Sequence, residues 1–130
     1  MGVSRGKRSN PYHRKAGSRM KLIYVCSPYR GDVELNVARA CRYCRFVYTQ
    51  GAVPFAPHLH NTQFLDDCIP NEREAGILLG LHMLQYCDEL WIFGDKLTEG
   101  MASELKAARQ RNITVKYFTD RCDEREVIGK

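Results

Sequence analysis

Four short β-rich runs, each separated from the next by enough chain for a helix, constrain this sequence most. They are "KLIYVC" (21–26), "AVPFA" (52–56), "DELWIFG" (88–94) and "ITVKYF" (113–118). Runs of that length and composition read as strands. "SPYRGD" breaks the first with Pro28 and Gly31, and Asp32 is placed to cap a helix running to about Gln50, ended by Gly51. Pro70 or Asn71 opens a second helix, "NEREAGILLGLHMLQYC", with Ile77, Leu78, Leu81, Leu84 and Gln85 at helical spacing. The third strand is almost continuously apolar, as strands covered on both faces are. A third helix follows it, with Met101, Leu105 and Ala108 on one side. This alternation predicts an α/β fold: a small doubly wound, Rossmann-like or flavodoxin-like parallel sheet, strand order 2-1-3-4, with helices on both faces.

A chain of 130 residues is enough for one domain with a real core and short for two. The domain is expected over residues 21–120, between a basic flexible tail (1–20) and a charged C-terminal tail (121–130). The net charge of +5 belongs to the first of these tails, because residues 1–21 hold seven Lys or Arg and no acid. The remainder carries 13 basic against 15 acidic residues, so a nucleic-acid-binding body is not indicated. Contact of the tail with nucleic acid is not favoured over a solvated extension. No apolar run approaches the ~20 residues that span a bilayer. The N-terminus shows no secretory signal pattern, so the expectation is a cytoplasmic protein without membrane contact.

Of six cysteines, only Cys41 and Cys44 form a close pair, and no second CxxC completes a structural zinc site. Val37, Ala40, Cys41, Cys44, Val47 and Tyr48 make one helical stripe, so both thiols are expected in the core. No metal and no cofactor is assigned.

In sheets of this kind ligands bind beyond the carboxyl ends of the strands. The loops at that edge are 27–32, 57–69 and 94–100, and the conspicuous side chains fall there: Ser27, Arg30, Asp32, His58, His60, Asp66, Asp67, Asp95, Thr98 and, one turn into its helix, Glu104. "YVCSPYRGD" reads either as a plain β–α turn or as a phosphate cradle, with free helix-start amides and Arg30 as a bidentate partner. "PHLH" reads as polar residues lining or lidding a pocket. Glu104 has two readings. One is an acid near the positive end of a helix, worth ~0.3–1 kcal/mol. The other is a carboxylate at a pocket edge serving as nucleophile or base.

"IYVCSPYRG", and "CDELWIFGD" followed by "EGMASELKAA", resemble the nucleoside 2-deoxyribosyltransferase-like family, which includes the 2'-deoxynucleoside 5'-phosphate N-hydrolases. The likeness covers roughly residues 21–118, and the block from "SPYRGD" to "EGMASE" is also similar to an uncharacterised bacterial and phage branch. The resemblance implies Glu104 as nucleophile on the anomeric carbon and Tyr24 as the residue orienting it. It places Ser27, Arg30, Gly31, Asp32, Asp95, Thr98 and Gly100 around the substrate or its phosphate. His58, His60 and His82 are further candidates for the pocket lining.

The implied activity is N-glycosidic cleavage or deoxyribosyl transfer on a nucleoside or nucleotide. The implied assembly is a homodimer or higher homo-oligomer. One position departs from the pattern: the family's assisting acid falls on Gly80, for which His82, Glu72 or Glu74 would have to substitute. An aspartate at position 80 is expected to be tolerated. This departure keeps a second function open, a non-catalytic binder, sensor or sequestering protein for a nucleotide derivative.

Overall fold

The computed structural model describes residues 10–13 and 18–126. Much of the expected basic tail, and residues 127–130 of the C-terminal one, lie outside them. The elements are β1 (Leu22–Cys26), α1 (Val33–Thr49), β2 (Val53–Phe55), α2 (Pro57–His60), a 3-10 turn (Asn61–Gln63), α3 (Pro70–Leu84), β3 (Glu89–Phe93), α4 (Glu99–Gln110), β4 (Thr114–Phe118) and β5 (Glu124–Arg125).

The sheet runs β2-β1-β3-β4-β5. β1 pairs in parallel with β2 and with β3, and β3 with β4, so the parallel order 2-1-3-4 is the one expected. β5 adds an antiparallel edge, with Phe118 opposite Glu124. It lies in the segment read from the sequence as a charged tail. The chain reverses through Cys122, at φ +68°, and Thr119 N–H bonds back to Asp123 O at 2.8 Å. The short charged strand covers the outer rim of β4, as edge protection requires.

Alternation along β1 divides the core. Tyr24 and Cys26 join Leu84, Leu90, Ile92, Met101, Leu105 and Ala108 on the face covered by α3 and α4. Ile23 and Val25 join Tyr43, Val47, Trp91, Phe93 and Phe118 on the face covered by α1. Tyr43 stacks on Phe93 with centroids 4.4 Å apart, and Phe93 on Phe118 at 5.1 Å. Such pairs each add about 0.5–1.5 kcal/mol beyond area burial.

Two expected stripes hold only in part. α1 buries Asn36, Ala40, Tyr43 and Val47, while Cys41 is exposed and Cys44 half-buried. Tyr43, stacked on Phe93, takes the inward place beside Ala40 and Val47, and Cys41 falls outside it. α3 buries Gly80 and Leu84. Ile77 and Leu78 of the expected stripe stay 47% and 60% exposed, and Leu79 43%. Leu84 and Leu81 of that stripe do pack on the core, and one turn above Leu84 the inward place is taken by Gly80, which shows no apolar signal. The stretch 57–69 also differs from a plain loop, since α2 and the 3-10 turn occupy its first half.

Part of the N-terminal segment touches the domain. Tyr12 Oη donates to Ala52 O at 2.7 Å, and its ring meets Tyr48 edge-on at 5.4 Å. Arg19 pairs with Asp88. No helix among the described residues is long and apolar enough to cross a membrane.

Candidate active site

The centre of the site is assembled by two elements that meet face to face. Period two along β1 puts Tyr24 and Cys26 on the face toward α4. Thr98 fixes where α4 starts, its Oγ1 accepting from Met101 N at 3.2 Å. Glu104 then falls in the second turn, three residues after buried Met101 and four before buried Ala108, at the border of the inward face. Tyr24 Oη donates to Glu104 Oε2 at 2.5 Å, and Cys26 Sγ donates to Oε1 at 3.2 Å. A carboxylate placed only for the helix dipole would not need either donor.

Burial lifts the Glu104 carboxyl above its ordinary range, and the two donated hydrogen bonds pull the other way. Tyr24 and Cys26 are both held well above their usual values, by burial first and by the adjacent carboxylate second. Both therefore keep their protons and continue to donate.

Above Glu104 opens a cleft of about 500 Å³ at the carboxyl edge of the sheet. Its walls bring together Tyr24, Ser27, Arg30, His58, Asp67, Gly80, Thr98, Gly100 and Glu104 of the residues singled out in the sequence. The loop after β1 is shaped by groups outside the cleft. Asn36 Nδ2 donates to Tyr29 O and Arg30 O, each at 3.0 Å, and Asp32 Oδ1 accepts from Leu35 N at 3.1 Å. Gly31 turns the chain at φ +100°, a conformation L side chains rarely adopt. Gly31 and Asp32 thus form the loop and do not line the cleft.

Arg30 Nε lies 3.2 Å from Asp67 Oδ2, and Arg73 Nε 4.0 Å from Asp67 Oδ1, so one carboxylate stands between two guanidiniums on the rim. His58 Nε2 is 2.7 Å from Ser27 O, and because a carbonyl only accepts, that nitrogen carries the proton. The ring stacks on Tyr29 at 5.0 Å, and burial pushes its pKa down, so the imidazole is neutral near pH 7. Ser27 Oγ is buried and has no hydrogen-bond partner among the described residues.

Other expected residues fall elsewhere. His60 turns to Phe55 and Phe64, and His82 to Gln85 and Tyr86, so neither lines the cleft. Asp95 is exposed and outside it. Glu72 is engaged with the Asp66 N–H, and Glu74 is exposed. Among the described residues no three His, Cys, Asp or Glu side chains converge as a metal-ligand set.

Gly80 is the position where an acid was expected to be tolerated, and the packing contradicts that. A Cβ there would lie 2.9 Å from Tyr24 Oη and 3.7 Å from Pro57 Cβ. The helix backbone approaches the tyrosine hydroxyl so closely that only glycine fits without displacing it. The sequence reading missed Cys26 as a partner of Glu104, along with Tyr29 and Arg73 in the walls. For Cys26 the signal was present, since it stands two residues beyond Tyr24 on the same strand face.

Residues 21–118 match the family model described as Domain of unknown function (DUF7768). Comparison with curated proteins gives no match. Among solved structures, the chain is similar to a 2-deoxyribosyltransferase from Bacillus psychrosaccharolyticus, with a TM-score of 0.65 and 19% identity over 83% of this chain and 77% of that one. It is also similar to a 2-desoxiribosyltransferase from Leishmania mexicana, with a TM-score of 0.53 and 20% identity over 76% of this chain and 64% of that one. At these identities the likeness establishes the fold, which is the one expected from the two sequence motifs.

Proposed function

The chain belongs to the DUF7768 family, and we propose that it cleaves the N-glycosidic bond of a nucleoside or nucleotide, as an N-glycosidase or 2-deoxyribosyltransferase with Glu104 as nucleophile. The observation that carries this reading is the Glu104 carboxylate, fixed by Tyr24 and Cys26 at the floor of a cleft with room for a small ligand. A carboxylate oxygen attacks the anomeric carbon, the C–N bond breaks, and its electron pair leaves with the base, which takes up a proton. Water or a second base then attacks the same carbon and releases the carboxylate, the double displacement of retaining glycosidases. The shared fold with two deoxyribosyltransferases supports the reaction class.

A 5'-phosphate on the substrate would find Arg30, the Ser27 hydroxyl and the start of α4 on the cleft walls. Arg30 is 62% exposed in its pair with Asp67, and exposed ion pairs of this kind are worth about 0–1 kcal/mol, so a phosphate would replace the partner at small cost. The exposed apolar surface of α3, with Leu78 at its centre, supports assembly with a second copy.

Gly80 favours the second reading, a binder of a nucleotide derivative. Without an acid at that position, help for the departing base would have to come from solvent or from another wall of the cleft. The two readings separate on a panel of nucleosides and nucleoside monophosphates, scored for free base by chromatography and for binding by thermal shift. Free base from the wild type, absent in Glu104→Gln while the thermal shift persists, is the outcome expected. Binding across the panel with no base from any member would leave the binder as the correct reading.

A further inference from the structure

We propose that Cys26 is a positioning residue for Glu104: its thiol anchors Oε1 as the inner oxygen and leaves Oε2 as the oxygen that attacks. The inference rests on the glycosidase reading and extends it to the second half of the carboxylate. Tyr24 and Cys26 are both fully buried, but Tyr24 lines the cleft and Cys26 does not. The oxygen held by Cys26 therefore faces the core, and the oxygen shared with Tyr24 faces the ligand. The alternative acceptor for the thiol, Met101 O, is 3.9 Å away against 3.2 Å for Glu104 Oε1. That carbonyl also lies within α4, where the helix already supplies it with a donor.

The arrangement has a chemical consequence. As Oε2 bonds to the anomeric carbon, the C–N bond breaks and its electron pair goes to the base. Oε1 becomes the carbonyl oxygen of the ester, still accepting from the thiol. When water attacks the anomeric carbon it gives up a proton to solvent, the ester C–O bond breaks with its electron pair returning to the carboxylate, and that charge is met by the same S–H. The thiol keeps its proton throughout, in keeping with burial that pushes its ionisation far up. A weak donor suits this place, because it fixes one oxygen without withdrawing much charge from the other.

Cys26→Ala removes the donor and Cys26→Ser restores one. The titratable groups facing the carboxylate or its cleft are Tyr24 and Cys26 of β1, Tyr29 and Arg30 beyond it, His58 of α2, Asp67 and Arg73 on the rim beside Arg30, and Glu99 of α4. Only the Cys26 contact changes in these variants. Removing a donor to the charged form raises the carboxyl pKa, so in Cys26→Ala the acid limb of kcat/KM for base release should move up by about one pH unit, with a roughly tenfold loss of rate below it. Cys26→Ser should return the limb toward the wild type. A purely packing role for the thiol would lower Tm without moving the limb.

The infrared S–H band of Cys26, isolated as the difference between wild type and Cys26→Ala, gives a readout that needs no turnover. It should shift in Glu104→Gln. An unmoved acid limb in Cys26→Ala, or an S–H band indifferent to Glu104→Gln, overturns this inference alone. No base release by the wild type overturns the glycosidase reading, and with it the catalytic purpose of the thiol.

Discussion

Tyr24 Oη donates to Glu104 Oε2 across 2.5 Å and joins the middle of β1 to the second turn of α4 beneath the cleft. A hydrogen bond to a charged acceptor is worth about 1.5–3 kcal/mol, which as a rate factor is roughly 10- to 100-fold. Tyr24→Phe keeps the ring that packs on Phe55 and removes only the donor. It is expected to lower base release by that factor while leaving ligand-induced thermal shifts in place. Equal rates for Tyr24→Phe and wild type would mean that the hydroxyl does not serve the carboxylate.

The burial of Glu104 makes a stability prediction of definite sign. Its folded-state pKa is raised, chiefly by desolvation, so the folded protein binds this proton more readily than the unfolded chain does. Stability from this group is full below the unfolded value of about 4.3–4.5 and is lost as pH rises through the folded value. Above the folded value the ionised side chain therefore weakens the fold. Glu104→Gln should raise Tm at pH 7 and should give no gain at about pH 4. Equal Tm gains at both pH values would contradict the burial argument.

Gly80→Ala tests the contact between α3 and the site. Exchanging glycine for alanine inside a helix normally stabilises by about 0.5–1 kcal/mol. Here the added Cβ would meet Tyr24 Oη at 2.9 Å, and Tyr24 is fully buried and tied to Glu104. Overpacking costs about 1–3 kcal/mol, so the net effect should be a lower Tm together with reduced base release. Combining Gly80→Ala with Tyr24→Phe removes the clashing oxygen and should recover most of the Tm without recovering activity. Additive losses in the double variant would place the clash elsewhere.

How much was legible follows from these residues. The strands, their parallel order and the start of α1 at Asp32 were readable because alternation, apolar runs and a capping side chain are local signals. Glu104 was found because an acid beside Met101 and Ala108 breaks an apolar face. The inward face of α3 was legible at Leu81 and Leu84 and misread at Ile77 and Leu78, because the inward residue of the turn before Leu84 is Gly80, which carries no hydrophobic signal. Cys41 was placed in the core because α1 offers two overlapping stripes, and the one that packs on the sheet carries Tyr43 against Phe93, a contact between residues distant in the sequence. β5 has two charged residues and is held by the turn at Cys122, so nothing in its composition announces a strand.

The apolar outer surface of α3 predicts self-association. Leu78 is 60% exposed beside Ile77 and Leu79, and Ile77 also lines the cleft, so a second copy seated there would adjoin the site. Sedimentation at micromolar concentration should show a dimer or larger species, and Leu78→Glu should shift it toward the monomer. A wild type that sediments as a monomer would leave this surface for another partner.

Glu104 as nucleophile forms a covalent bond to the sugar, and mass spectrometry of acid-quenched protein reads that bond itself. Wild-type protein mixed with the nucleoside or nucleotide that it turns over, then quenched and digested, should yield the peptide bearing Glu104 with the mass of one esterified sugar. That adduct should be absent from Glu104→Gln. Base release by the wild type with no adduct at Glu104 at any quench time, or an equal adduct in Glu104→Gln, would contradict the account.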